Sequence, residues 1–366
     1  MSAPVDPAAR GLLRWYRRRR RDLPWRRTRD PYAVWVAETM LQQTRCETVV
    51  DYYQRFLARF PTVASLARAR PSAVLAAWSG LGYYGRARNL HAAARAIIAR
   101  HAGRVPRDVD ALRALPGIGR YTAGAVASIA FGIPAPVLDG NVARVLARWF
   151  AVAGPLRTPA VTRVLWQHAE RLVHRRAPGD WNQALMELGA TLCTPRAPAC
   201  SRCPVRERCA AHRAGRVDRF PVPARLATVH HVQRACVVIE SGGRVLMVRR
   251  DEDRLLRGLW EFPGVDLARG QNPRAGARAA LSRIAAQPGR LGARGSFVHS
   301  ITNRRIRTFV FSAQSEWPPS SPSAPGRWVR RQELARLPLS SASLRIARLL
   351  DGGLERSRFA SNATGL

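Results

Sequence analysis

Residues 112–123 read LRALPGIGRYTA, with Pro116, Gly117 and Gly119 set between two stretches of helical composition. The chain must turn sharply there. Glycine permits the tight turn and lets backbone N–H groups reach a ligand with no side chain in the way. Because the next helix begins at once, its N-terminal amides can join those of the turn in holding a phosphate. The alternative is an ordinary glycine-containing turn between two helices, which carries no ligand.

Outward from this hairpin, residues 8–213 continue as a succession of helices, rich in Ala, Leu and Arg at helical spacing and broken at Phe60-Pro61 and Arg70-Pro71. The region 1–213 is therefore expected to be all-α. Residues 214–228, with Gly215, Pro221 and Pro223, read as a linker. Composition then changes. Residues 232–250 (VQRACVVIESGGRVLMVRR) are two β-branched runs around Ser241-Gly242-Gly243, the pattern of a β-hairpin. A second strand pair over Ser296–Phe311 and a helix over 273–286 complete a small α+β domain spanning 229–350. The segment 317–326 (WPPSSPSAPG) reads as a loop and residues 351–366 as a disordered tail.

The chain has 366 residues, 46% of them hydrophobic, enough to bury a sizeable core in two or three domains. Lys and Arg total 61 against 24 Asp and Glu, a formal net charge of +37, and every one of the basic residues is arginine. Such a balance points to a polyanion partner. The competing reading is a solvated basic surface, with arginine favoured by GC-rich codons. Arg17 to Arg21 follow a short amphipathic stretch (Leu12, Leu13, Trp15, Tyr16), and no apolar run leads to a cleavage site. No apolar segment approaches the ~20 residues of a membrane span. A cytoplasmic protein with reduced thiols is expected.

Four of the six cysteines are spaced Cys193-x6-Cys200-x2-Cys203-x5-Cys209. In a reducing compartment that clustering argues for metal and against disulfides. A 4Fe-4S cluster takes four Cys ligands. Zinc is the structural alternative, although its usual signature is two separated Cys pairs and this stretch holds a single CxxC. Cys46 and Cys236 are read as buried small hydrophobes.

Glu38 is the only acid in residues 31–46 (PYAVWVAETMLQQTRC) and shares a helical face with Val34 and Leu41. A carboxyl in apolar surroundings has a raised pKa and can hold a proton near neutrality, as a general acid requires. A surface glutamate is the plain alternative. The second acid, Asp139 in VLDGNVARVL, stands where a helix begins. It reads either as an N-cap or as a carboxylate held against a sugar to stabilise the oxocarbenium-like state of C–N glycosidic cleavage.

With LPWR at 23–26, VWVAETMLQQT at 34–44, GLGYYGRARNLH at 80–91, LPGIGRYTAGA, VLDGNV, NQALMELGA and the four cysteines, residues 23–209 closely resemble the helix-hairpin-helix DNA glycosylases with an iron-sulphur loop, and within them the MutY family. The resemblance implies a helical barrel over about 30–140 and an iron-sulphur domain from 1–29 plus 141–213. It implies that Glu38 protonates adenine and later handles water, that Asp139 stabilises or traps the sugar cation, and that Tyr121 and Asn141 support the two acids. By the same mapping Trp25, Arg26, Leu41 and Gln183 line an adenine pocket. Gln42, Gln43, Thr44, Tyr83, Arg86, Pro116, Gly117 and Gly119 contact DNA, with Gln43 and Tyr83 wedged into the base stack to flip the target out. Without the resemblance, Tyr83 and Trp25 would read as core aromatics.

GLWEFPG at 258–264 resembles the Nudix-like domain with which this family recognises 8-oxoguanine. A Nudix hydrolase needs a cluster of glutamates to hold Mg²⁺, but between Glu261 and Glu316 the only acid is Asp266. Binding without hydrolysis is expected. The family's lesion-reading Phe-Ser-His is met here by Ile301-Thr302-Asn303, which makes Thr302 and Asn303 the lesion-recognition candidates and departs from the pattern at the histidine.

Two rivals remain. An endonuclease III-type glycosylase-lyase needs a lysine amine for its Schiff base, at the position held here by Tyr121, and the chain has no lysine. A non-catalytic iron-sulphur DNA-binding protein would not need Glu38, Asp139, Tyr121 and Asn141 together. The expectation is a monomeric, monofunctional glycosylase acting on adenine opposite 8-oxoguanine or guanine in double-stranded DNA.

Overall fold

The computed structural model describes residues 7–223, 228–250, 256–284, 290–315 and 326–350. The expected loop at 317–326 lies almost wholly, and the tail at 351–366 entirely, outside the described residues. Two compact units divide the chain: Met1–Ala69 with Arg88–Leu226, and Arg70–Ala87 with Ala227–Leu366.

Along the first hundred residues run α1 (Pro7–Arg19), α2 (Pro31–Leu41), α3 (Cys46–Arg59), α4 (Val63–Arg68), α5 (Pro71–Ala77) and α6 (Gly85–Arg100). Then follow α7 (Val109–Arg113), α8 (Arg120–Phe131), α9 (Gly140–Trp149), α10 (Pro159–Leu172), α11 (Pro178–Thr191) and α12 (Ala210–Arg213). Pro31 starts α2 without losing a hydrogen bond, and Asp30 caps it by accepting from the Tyr32 and Ala33 amides at 3.3 and 3.1 Å. Every residue from Tyr32 to Met40 is buried. A helix apolar on all sides belongs in a core, and α2 packs against α8. Trp35 and Met40 lie at 2% and 0% exposure, so Trp35→Ala would cost about 3–5 kcal/mol.

α11 packs against α1, α8 and α9. Its approach to α9 depends on Gly189, where a Cβ would stand 2.6 Å from the Asn141 Cβ. No other residue fits that gap, and the gap fixes the N-terminal end of α9.

In the second unit β1 (His230–Ser241) forms a hairpin with β2 (Arg244–Arg249). The sheet also holds β3 (Trp260–Glu261), β4 (Gly264–Asp266), β5 (Gly292–Ile301), β6 (Arg304–Gln314) and β7 (Arg327–Arg330). β1 pairs in parallel with β6 from His230↔Arg304 to Glu240↔Gln314, and β5 and β6 form an antiparallel hairpin. Ala235, Val237 and Ile239 face a cluster with α13 (Pro273–Ser282), while Cys236 and Val238 face one that includes Ile346 of α14 (Ser341–Leu350). Burial on both faces is why β1 reads as the continuous apolar run ACVVI without alternation.

Residues 70–87 pack with the second unit, whereas the sequence reading left them in the helical region 1–213. There the Ser79 and Tyr84 hydroxyls both bond to the Leu339 carbonyl, far along the chain. Among the described residues no helix is long and apolar enough to cross a membrane.

Candidate active site

A pocket of about 400 Å³ in the first unit is lined by Trp25, Arg26, Glu38, Leu41, Gln42, Gln43, Thr44, Tyr121, Asp139, Asn141 and Gln183, all singled out from the sequence. Arg21, Cys46, Met186 and Glu187 also line it.

Glu38 projects from α2 at 4% exposure. Burial pushes its carboxyl up to about 7; the hydrogen bond from Tyr121 opposes this, and the charge of Asp139 adds to it. Tyr121, in the first turn of α8, donates its hydroxyl to Glu38 Oε2 at 2.5 Å and lies 3.3 Å from the Met186 sulphur.

Asp139 is the N-cap that the sequence allowed, and it also lines the pocket. It caps α9 by accepting from the Val142 amide at 2.7 Å, and its other oxygen accepts from Asn141 Nδ2 at 3.2 Å. Burial raises its pKa, while the bonds from Val142 and Asn141 and the charge of Arg144 pull it down. Two carboxyl groups thus share one pocket with different supports. Glu38 has a phenol beside it; Asp139 has a helix N-terminus and amides, which favour the ionised form.

Asn141 is held in turn by Arg144, whose guanidinium donates to Asn141 Oδ1 at 2.8 Å, to the Gly189 carbonyl at 2.9 Å and to the Cys193 carbonyl at 2.8 Å. One side chain therefore ties the neighbour of Asp139 to the first cysteine of the loop. Arg148, at 2% exposure, donates to the carbonyls of Thr194, Pro195 and Phe220 and to Cys193 Sγ at 3.4 Å. Cys193, Cys200, Cys203 and Cys209 line one small pocket, with Leu188 and Val205 among its apolar walls. None of the four is in a disulfide. Among the described residues no three His, Cys, Asp or Glu side chains are arranged to hold a metal ion.

Glu187, which the sequence reading did not single out, also belongs to the pocket wall. It sits at 1% exposure on α11 and accepts from the Arg21 amide, from Arg21 Nε and Nη2, and from Arg26 Nη2 at 2.7 Å. Burial alone would raise its pKa, but the hydrogen bonds from Arg21 and Arg26 outweigh it and hold the carboxyl down at about 2. Its signal was available: like Glu38, it is the lone acid of an apolar motif, NQALMELGA. Cys46 is a correction. It is half-buried at the start of α3 and lines the pocket, so it is not a core hydrophobe. Cys236 is buried at 5% exposure in β1. Trp25 lines the pocket and also packs edge-on against Tyr53 with centroids 5.6 Å apart.

The hairpin turn joins α7 to α8 with Pro116, Gly117 and Gly119 exposed and Ile118 buried beneath them. Gly117 has φ 74°, and a Cβ there would stand 2.5 Å from the Asn89 Cβ. No side chain caps α8 at Gly119.

The remaining candidates belong to the second unit. Tyr83 is 49% exposed. Arg86 is half-buried, its guanidinium lying over the Trp78 and Tyr83 rings and donating to the Gly82 carbonyl at 3.3 Å, a duty within its own loop that the sequence did not suggest. Thr302 and Asn303 form the exposed β5–β6 turn, where the Thr302 hydroxyl donates to the Ile301 carbonyl at 2.7 Å and Asn303 Nδ2 to Thr228 O at 3.3 Å. Gln43, Tyr83 and Thr302 have φ of 57°, 48° and 54°. For residues with a Cβ this left-handed backbone costs of order 1–3 kcal/mol, and such strain collects at functional sites.

The model of the HhH-GPD superfamily of base excision DNA repair proteins matches residues 36–170, and that of the NUDIX domain matches 234–349. Adenine DNA glycosylase of Mus musculus is 36% identical, over 97% of this chain and 80% of its own. The Homo sapiens enzyme of the same name is 35% identical, over 96% of this chain and 75% of its own. A solved thermostable thymine-DNA glycosylase superposes with a TM-score of 0.52 at 33% identity, covering 56% of this chain and 95% of its own.

Proposed function

The chain belongs to the adenine DNA glycosylase family and is a base-excision-repair enzyme acting on DNA; from that premise we propose that it removes adenine paired with 8-oxoguanine, or with guanine, from double-stranded DNA. The observation that carries the chemistry is the pairing of Glu38, its carboxyl pushed up to about 7, with Asp139 in one pocket. Glu38 in its protonated form gives a proton to a ring nitrogen of the flipped adenine, which turns the base into a neutral leaving group. Tyr121 holds the carboxylate left behind and keeps it aimed for activating water. Asp139, oriented by Asn141, faces the developing sugar cation with negative charge. Trp25, Leu41 and Gln183 enclose the base, Arg26 is held by Glu187, and Gln43 and Tyr83 enter the stack that the adenine leaves.

Strand cleavage by imine formation is not part of this reading. Tyr121 supplies no amine, and the chain has no lysine.

The four cysteines would hold a 4Fe-4S cluster. Support comes from their convergence on one apolar cavity and from Arg148, which holds the backbone between them. Bound by four thiolates, the cluster would supply a cross-link that fixes the loop. In the second unit Glu261 of the GLWEFPG motif and the nearby Asp266 are ion-paired: Arg234 pairs with Glu261 at 2.9 Å and Asp266 at 2.8 Å, and Arg250 pairs with Glu261 at 2.9 Å. A hydrolytic Mg²⁺ would have to displace two guanidinium groups. This favours recognition of the base opposite adenine, by Thr302 and Asn303, over hydrolysis. The enzyme would act as a cytoplasmic monomer.

Single-turnover cleavage tests the reading on duplexes with A opposite 8-oxoguanine, guanine and thymine, each with and without alkali. The expected order is 8-oxoguanine, then guanine, then almost nothing, with strand breaks only after alkali. Equal rates on all three duplexes, or a borohydride-trapped adduct, would contradict it.

A further inference from the structure

The loop that presents Tyr83 is strained, and something must hold it. Gly80, Gly82 and Tyr83 all have positive φ, 95°, 75° and 48°. Tyrosine has no intrinsic preference for that region, so the conformation persists only where its surroundings impose it. Inside the loop, Trp78 Nε1 donates to the Gly82 carbonyl at 3.1 Å and the Arg86 amide to the Tyr83 carbonyl at 2.9 Å. The loop is bonded to the Leu339 peptide of the C-terminal sheet domain. Ser79 Oγ and Tyr84 OH both donate to the Leu339 carbonyl at 2.7 Å, and the Leu339 amide donates back to Ser79 Oγ at 3.0 Å. The Tyr84 hydroxyl also accepts from the Gly80 amide at 3.0 Å, so it joins the strained turn to the anchor.

The anchor is itself fixed. Leu339 is fully buried, and the neighbouring Pro338 carbonyl accepts from the Trp260 amide of β3 at 2.8 Å. Tyr84 is buried at 3% while its neighbour Tyr83 is 49% exposed. One tyrosine is spent on the sheet domain and the adjacent one is offered outward.

We propose that Ser79 and Tyr84 are positioning residues that fasten the Tyr83 loop to the Leu339 peptide, so that the hold of the C-terminal domain on the base opposite adenine sets where Tyr83 enters the DNA. This rests on the roles given above to Tyr83 and to the C-terminal domain. A loop fastened in this way moves with the lesion-reading domain. Cutting the fastening leaves both parts present but independent, and specificity for the lesion falls.

The test uses the full-length protein and duplexes with adenine opposite 8-oxoguanine or guanine, 2-aminopurine being placed beside that opposite base to report unstacking. Ser79→Ala, Tyr84→Phe and the double variant are compared with wild type and with Tyr83→Ala. The double variant is expected to lose roughly fivefold of the single-turnover preference for A opposite 8-oxoguanine, the worth of about one neutral hydrogen bond, and most of the 2-aminopurine signal. Combined with Tyr83→Ala it should add nothing, and Ser79→Thr, which keeps the hydroxyl, should restore both readouts. If Tyr84→Phe fails to fold, Ser79→Ala against Ser79→Thr decides. An unchanged ratio and signal in the hydroxyl-less variants, or losses that add to those of Tyr83→Ala, would overturn the proposal. Should wild type excise adenine with no preference between the duplexes, the lesion reading falls by itself, and the 2-aminopurine comparison still decides the fastening.

Discussion

Tyr121 donates its hydroxyl to Glu38 Oε2 at 2.5 Å, across 83 residues of chain, and so places a phenol against the carboxyl proposed to protonate adenine. Burial and this bond pull in opposite directions. Desolvation raises the Glu38 pKa, the bond lowers it, and the outcome is about 7. Only the protonated carboxyl can give up a proton, so single-turnover excision should fall as pH rises through about 7. Tyr121→Phe removes a bond made to the ionised form and should move that alkaline limb to higher pH. A limb that stays put, or moves down, would show that Tyr121 does not tune Glu38.

The same shift has a consequence for the fold. The Glu38 carboxyl ordinarily titrates near 4.5 and in the folded protein near 7, so the folded state holds its proton over a range where the unfolded chain has lost it. Stability is then full below about 4.5 and lost as pH rises to about 7, by roughly 3 kcal/mol in all. Glu38→Gln should raise Tm at pH 8 and leave it nearly unchanged at pH 4. Equal Tm differences at the two pH values would contradict this.

Glu187 shows the opposite sign. Held at about 2 by Arg21 and Arg26, it contributes stability above its ordinary 4.5 that disappears as pH falls towards 2. Glu187→Gln leaves the buried guanidinium of Arg26 without its carboxylate, a loss of about 3 kcal/mol or more at pH 7. The Tm deficit of the variant should shrink between pH 4.5 and pH 2.5, and adenine excision should weaken because Arg26 is released. A deficit independent of pH would sink the ion-pair account.

Arg144 joins Asn141, beside Asp139, to the carbonyl of Cys193. The purified protein should carry about four iron and four sulphide per chain. Arg144→Gln should slow excision of bound adenine more than it weakens binding, with the iron content largely kept. Stoichiometric zinc without labile sulphide would refute the cluster, and wild-type excision by the variant would refute the link.

What the sequence made legible was local. An acid isolated in an apolar helix, a Pro-Gly-x-Gly turn and four close cysteines can each be picked out in a short window, and the structure buries the acid, makes the turn and sets the cysteines around one pocket. The N-cap reading of Asp139 was legible too, and the same side chain also lines the pocket that holds Glu38. The losses were contacts between distant segments. Glu187 meets Arg21 and Arg26 across more than 160 residues. The bonds of Ser79 and Tyr84 to Leu339, which carry residues 70–87 into the second unit, span more than 250. Cys46 was misjudged, because composition does not fix which side of a helix end faces a pocket, and the contacts of Arg86 within its loop went unseen, because it does not fix which carbonyls a guanidinium finds.

The central claim is that Glu38 supplies the proton that releases adenine. Single-turnover excision and equilibrium binding of a duplex with A opposite 8-oxoguanine, measured for wild type and Glu38→Gln at one salt concentration, test it most directly. The change keeps the size and the hydrogen bond from Tyr121 but removes the transferable proton. Excision should vanish while the dissociation constant stays close to that of wild type; excision at a near-normal rate by the variant would contradict the account.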